Sequence, residues 1–218
     1  MAKNEITVWG RLSSSNVQVV LWCLDELGLD FKRIDAGFTY GVVDTPQYLG
    51  MNPNGTIPTL IDGESPPIFE SGAILRYLAA SYATDSFWPS DPVARAQIDK
   101  WAEWAKINIA NLFTAPVFWQ VVRTAPSRQD PEMIARNIAA LTKYLKIAEA
   151  RLAQDDYLAG DQFTLADIQM GHCLYRYFDI DIARADLPHL RRYYDRLCQR
   201  PAYAKYVMAD YSELRVTD

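Results

Sequence analysis

Three groups of residues combine types and positions suited to holding a polar, peptide-like ligand. The first is Ser13-Ser14-Ser15-Asn16, between a strand-like run, Ile6-Thr7-Val8-Trp9, and a series of apolar residues at helical spacing, Val17, Val20, Leu21, Leu24 and Leu27. At a strand-to-helix turn the backbone N–H groups lack partners and the positive end of the helix dipole favours an anion. A hydroxyl held there can donate to a thiolate, although the same residues also serve as plain helix caps. The second group is Ile57-Pro58, at the head of a strand. A cis bond there would expose the backbone N–H and C=O of the preceding residue, ready to pair with an extended peptide; taken alone, Pro58 marks only a strand start. The third is Glu70-Ser71, where Ser71 is expected as an N-cap. Their side chains can meet an α-amino and an α-carboxylate group, with the following N–H groups on the carboxylate, but an isolated pair of this kind is also simply a cap.

Other common chemistries lack parts. His172 and His189 are the only histidines, and neither HExxH nor a Cys/His cluster is present, so no metal site is expected. GxGxxG, GxxxxGK[ST] and Gly-x-Ser-x-Gly are all missing. With 22 Lys and Arg against 27 Asp and Glu the net charge is −5, and the densest basic stretch, Arg191-Arg192 with Arg196 and Arg200, is interrupted by Asp195. That pattern is a solvated helix face, and no nucleic-acid partner is expected. No run approaches the ~18 apolar residues of a membrane span, and Met1 to Glu5 lead into the first strand without a secretory segment. Cys23, Cys173 and Cys198 form no CxxC and sit in apolar helical patterns, which suits inert thiols in a reducing compartment. The expected location is the cytoplasm.

The elements that must position these groups follow from periodicity. Gly28 closes the first helix as a C-cap glycine, and Phe31 to Ile34 make a second strand. The turn residues Asn52-Pro53-Asn54-Gly55 lead into a third strand around Leu60-Ile61, and Asp62-Gly63-Glu64 turns into Ile68-Phe69. A helix with Ile74, Leu75, Leu78 and Tyr82 on one face follows, giving βαβ then ββα. Beyond a Pro- and Ser-rich break everything reads as helix: one long segment from Val93 to about Val122, and a second carrying Ile134, Ile138, Leu141, Leu145, Ala148 and Leu152. A third helix opens at Phe163-Thr164-Leu165-Ala166-Asp167, where the Asp167 carboxylate is expected to reach back to the Thr164 N–H as in a capping box. The division is residues 1–83, a linker at 84–92, and an all-helical unit at 93–218.

Taken in this order, Ser14-Ser15-Asn16, the stretch from Met51 to Leu60, Glu70-Ser71-Gly72-Ala73-Ile74 and Phe163 to Asp167 resemble the soluble bacterial glutathione S-transferases with a serine-type active site, of the theta, delta and nu kind. The resemblance implies an α/β thioredoxin-like N-terminal domain that binds glutathione, followed by an all-α C-terminal domain lining a hydrophobic substrate site. It implies a cytoplasmic, homodimeric detoxifying transferase that joins the glutathione thiolate to small hydrophobic electrophiles, with glutathione as substrate and no metal. Glutathione-dependent disulfide or peroxide reduction, or a noncatalytic scaffold of the same fold, are the alternatives. Residue by residue, Ser14 corresponds to the hydroxyl on the glutathione sulfur, with Ser13 as the register alternative and Asn16 able to share or take over the task. Ile57, before a cis Pro58, corresponds to the residue pairing with the cysteinyl part, Glu70 and Ser71 to those holding the γ-glutamyl end, and Asn54 to one near the glycyl carboxylate. The tyrosine of other classes is not evident, since Trp9-Gly10-Arg11 stands near the first strand. The electrophile is expected against the aromatic residues Trp101, Trp104, Phe113, Phe118 and Trp119.

Overall fold

The computed structural model describes residues 5–218; residues 1–4, on which the expectation about a secretory segment partly rests, lie outside them. The first unit is β1 (Ile6–Trp9), α1 (Ser15–Glu26), β2 (Phe31–Ile34), α2 (Pro46–Met51), β3 (Thr59–Asp62), β4 (Ile68–Phe69) and α3 (Ser71–Tyr82). Its sheet has the order β2-β1-β3-β4. β1 and β2 are parallel, with Ile6 opposite Phe31, while β3 runs antiparallel to β1 with Leu60 opposite Val8, and β4 is antiparallel to β3. Alternation puts Ile6, Val8 and Leu60 in the core, together with Val17, Val20, Leu21 and Leu24 of α1 and Ile74, Leu75 and Leu78 of α3. This is the βαβ–ββα order expected from periodicity.

Two local features differ from the sequence reading. The short helix α2 was not expected: Thr45 Oγ1 accepts the Tyr48 N–H at 3.3 Å and Pro46 occupies the first turn. Six residues including Gly50 are too few to show a helical period. At the third helix Ser71 is the first helical residue and not the cap. The cap position belongs to Glu70, with φ 68° and ψ 112°, a left-handed conformation unusual for a residue with a side chain.

The helical unit begins with α4 (Pro92–Ala105), whose Asp91 cap accepts the Ala94 N–H at 2.7 Å. The path continues through α5 (Asn111–Phe113) and α6 (Gln120–Val122) by two wide π-type turns, Lys106–Ala110 and Thr114–Trp119. Pro116, which has no N–H to give, lies in the second of them. Then come α7 (Pro131–Leu152), α8 (Leu165–Gly171), α9 (Leu174–Asp179), α10 (Pro188–Cys198) and α11 (Pro201–Tyr206). Every residue of α8 is buried, and it packs on α4 of its own unit and on α1 and α3 of the first. Close approach depends on Gly171: a Cβ there would stand 2.6 Å from Leu197 Cδ1 and 2.9 Å from Trp22 Cη2. Among the described residues no helix is long and apolar enough to cross a membrane.

Candidate functional site

The turn between β1 and α1 is made possible by Gly10, at φ 152°, where a Cβ would lie 2.4 Å from Val17 Cγ2 and 3.4 Å from Ile57 Cβ. The bare Cα lets this turn sit beside the entry to β3. Ser14 is the N-cap of α1, in extended conformation, half-buried, and its side chain makes no capping hydrogen bond. Its backbone is fully used: N–H to the Arg11 carbonyl at 3.2 Å, and C=O receiving Val17 N–H at 2.9 Å and Gln18 N–H at 2.8 Å. Ser13 is committed elsewhere. Its buried hydroxyl donates to the Glu213 carboxylate and accepts from Arg11 Nε at 3.1 Å, while its carbonyl takes Arg176 Nη2 at 2.6 Å. Ser15 is buried in the first turn. Asn16 is exposed, with Oδ1 accepting from Ser71 Oγ and from Lys106 Nζ, both at 3.3 Å.

The bond between Ile57 and Pro58 is cis, as expected. Asn52, buried at 1% exposure, builds the loop that delivers it. Its Nδ2 donates to the Thr56 carbonyl at 2.8 Å and to Thr59 Oγ1 at 3.3 Å, and its Oδ1 accepts from Asn54 N and Nδ2, each at 3.1 Å. Tyr48 Oη, from the unexpected α2, donates to the same Thr56 carbonyl at 2.7 Å. One amide hydrogen of Asn54 is therefore spent inside the loop.

Sequence reasoning missed Lys106. From the first π-type turn its ammonium donates to Ser71 Oγ at 2.7 Å and reaches Asn16 Oδ1, joining the start of α3, the first turn of α1 and the helical unit at one point. It makes no ion pair among the described residues, and burial pulls its pKa below the usual lysine value, partly opposed by Glu70. A half-buried ammonium beside a helix start is a ready partner for a carboxylate. The signal was one lysine in a long helix, with no local pattern to mark the turn that aims it.

Of the five aromatic residues expected beside the electrophile, Phe113 and Phe118 are buried core, and Trp101 and Trp104 meet edge to face at 5.3 Å while half-buried. Trp119 is open, at 43% exposure. His172 is buried with Nδ1 on the Gln169 carbonyl at 2.8 Å, and burial pushes its pKa down to about 3, so it stays neutral. Burial pushes the Cys173 thiol up to about 12 and the Cys23 thiol higher still, which agrees with their reading as inert thiols; Cys198 is half-buried. Among the described residues no group of three or more His, Cys, Asp or Glu could hold a metal ion.

A sheet of this order entered through a cis-proline defines a thioredoxin-like domain, and here a helical unit reaches across to the start of α3 and the first turn of α1 through Lys106. Residues 4–80 match the family model of the glutathione S-transferase N-terminal domain, and residues 108–201 that of the C-terminal domain. The chain is 37% identical over 204 residues to the glutathione S-transferase GstB of Escherichia coli K12, covering 93% of this chain and 98% of that one. It is 34% identical over 214 residues to glutathione S-transferase 3 of Zea mays, covering 94% of each. A theta class glutathione S-transferase from Xanthomonas axonopodis pv. citri, solved with glutathione bound, superimposes with a TM-score of 0.89 at 43% identity over 95% of this chain and 99% of that one. The chain belongs to the glutathione S-transferase family, and its thioredoxin-like and all-helical domains are those expected from the sequence. It is thus a transferase whose substrate is glutathione.

Proposed function

We propose that this chain conjugates the thiolate of glutathione to small hydrophobic electrophiles, with Ser14 as the hydroxyl that stabilises the thiolate. The observation that carries this reading is the Ser14 side chain, left without a capping bond at the start of α1 while the Ser13 hydroxyl is committed to Glu213. A free thiol of pKa about 8.5 is only ~3% ionised at pH 7. Hydrogen bonds to the anion and a helix N-terminus lower that value by ~2 units, making the thiolate the major species.

In this reading the backbone of Ile57 pairs with the cysteinyl part, and Glu70 meets the γ-glutamyl amine. Ser71 and Lys106 meet the γ-glutamyl α-carboxylate, and Asn54 uses its remaining amide hydrogen on the glycyl end. The Glu70 carboxylate is exposed, and its left-handed backbone costs of order 1–3 kcal/mol, which fits a residue held for a ligand. Replacing Glu70 and Ser71 together by Ala is expected to weaken glutathione binding by about 3 kcal/mol, roughly a hundredfold in Kd by calorimetry. Unchanged affinity would remove both from the binding site.

Reduction of disulfides or hydroperoxides is the second reading, resting on Asn16 beside the site, whose Oδ1 accepts from Ser71 and Lys106. Turnover of a haloaromatic, a hydroperoxide and a small disulfide with glutathione separates the two, and conjugation should dominate. A bound thiol with the pKa of free glutathione would instead favour a noncatalytic scaffold. The working form is a cytoplasmic homodimer divided at residues 84–92, with the faces of α3 and α4 as the dimer contact. Light scattering should give twice the 24.8 kDa of one chain, and a 24.8 kDa species at micromolar concentration would refute the dimer.

A further inference from the structure

Around the turn between β1 and α1, the chain gathers guanidinium groups that its overall charge of −5 gives no reason to expect. Arg11, three residues before Ser14, places its guanidinium carbon 5.2 Å from the centre of the Phe38 ring; Arg123, just after α6, stands 5.3 Å from the same ring and 4.8 Å from that of Trp119. The two rings are 47% and 43% exposed. Gly37, next to Phe38, faces both the Ile57 side chain and the Arg11 guanidinium: a Cβ there would be 3.2 Å from Ile57 Cδ1 and 3.5 Å from Arg11 Nη1. Arg11, Phe38, Trp119 and Arg123 therefore form one patch that begins beside the cis-proline loop and the Ser14 turn. A third guanidinium, Arg176, lies beneath it, 3% exposed, over the rings of Phe118 and Tyr211 at 4.7 and 5.2 Å, with its Nε unpartnered.

The negative charge available to offset these three groups is small. The Glu213 carboxylate faces Arg11 but already accepts the Ser13 hydroxyl. Arg123 makes no side-chain hydrogen bond and no ion pair among the described residues; its only contacts of this kind are the two rings. Burial first, and then the neighbouring Arg123 charge, draw the Arg11 pKa below its usual value, partly opposed by Glu213 and Tyr40. Cations held on aromatic faces, short of carboxylates and partly out of water, are a site that lacks its anion.

Resting on the conjugation reading, we propose that Arg11 and Arg123 select electrophiles that carry an anionic group, a carboxylate on an aromatic ring in particular. The ring lies on Phe38 and Trp119, and the carboxylate meets the guanidinium of Arg123 with Arg11 beside it. The glutathione thiolate then attacks the ring carbon bearing a halogen: the S–C bond forms, the C–halogen bond breaks, and halide leaves with the electron pair.

The test uses one scaffold in two charge states, 4-chloro-3,5-dinitrobenzoate and 4-chloro-3,5-dinitrobenzamide. The full-length protein should turn over the acid with about tenfold higher kcat/KM than the amide at low salt, and the ratio should fall as salt rises. In Arg123→Gln the ratio should collapse towards one, and Arg123→Lys should keep part of it. A ratio near one in the wild type, or a ratio untouched by Arg123→Gln, overturns the proposal. So does an Arg123→Gln defect confined to the KM for glutathione with either electrophile, because the guanidinium would then serve the tripeptide's own carboxylate. If neither electrophile is turned over, the conjugation reading fails, and calorimetry with the two S-aryl glutathione products, made chemically, still decides the anion site. Tighter binding of the acid product, lost in Arg123→Gln, supports it, and equal affinities sink it.

Discussion

Ser14→Ala raises the pKa of the bound glutathione thiol by about 1–2 units, because a hydrogen bond to a charged group contributes roughly 1.5–3 kcal/mol and each unit corresponds to 1.36 kcal/mol. The sign follows from which form is bonded: the hydroxyl stabilises the anion, so its loss favours the thiol. Turnover below the shifted pKa should drop by about 10- to 100-fold and recover as pH rises, so the pH–rate profile moves to the alkaline side while its plateau is largely kept. Affinity for glutathione should change far less, since contacts to the two ends of the tripeptide are untouched. Ultraviolet titration of the thiolate in the binary complex reads the pKa directly. Asn16→Ala is the control: its Oδ1 already receives Ser71 and Lys106, so it should disturb binding more than ionisation. A shift in Asn16→Ala with none in Ser14→Ala would transfer the activating role to the amide, and equal shifts would mean that the sulfur is shared.

How far the sequence carries can be judged at particular residues. The βαβ–ββα order, the long helix from the region of Val93 and the Thr164–Asp167 box were legible because each repeats over a turn or more: apolar spacing of three and four, alternation in strands, or a cap with its partner three residues on. The cis bond at Pro58 was expected through the resemblance carried by the stretch from Met51 to Leu60. Ser14 was assigned with Ser13 as the register alternative, and what the sequence did not show is that the distant Glu213, from the C-terminal segment, engages the hydroxyl of Ser13. The same limit hid Lys106 and Arg123. Both are single cations in helical stretches, and both acquire meaning from π-type turns and tertiary neighbours 35 to 90 residues away in the chain. The left-handed backbone at Glu70 was equally out of reach, because nothing in its residue type asks for it.

Asp167→Ala is expected to have the largest effect on stability. The carboxylate is fully buried and accepts four hydrogen bonds: from Leu158 N–H at 2.9 Å, Thr164 N–H at 2.8 Å, Thr164 Oγ1 at 3.3 Å and Tyr193 Oη at 2.9 Å. It thus ties the start of α8 to the loop before it and to α10, at the helix on which both domains pack. Alanine leaves two buried N–H groups and a buried phenol without partners, at about 1–3 kcal/mol each, so a loss of about 3–5 kcal/mol is expected in denaturant unfolding at neutral pH. The deficit should also depend on pH. Burial outweighs the four bonds and pushes the Asp167 pKa from 3.8 up to about 6. A group whose folded pKa is raised contributes stability that is present below 3.8 and lost as pH rises through 6. Measured against Asp167→Asn, which cannot ionise, the wild type should therefore hold its largest advantage in acid and lose about 2 kcal/mol of it between pH 4 and 7. Taking the difference between the two proteins removes the titration of the other carboxylates, which is common to both. An advantage that instead grew with pH would mean that the hydrogen bonds prevail over burial and that Asp167 ionises below 3.8 in the folded protein.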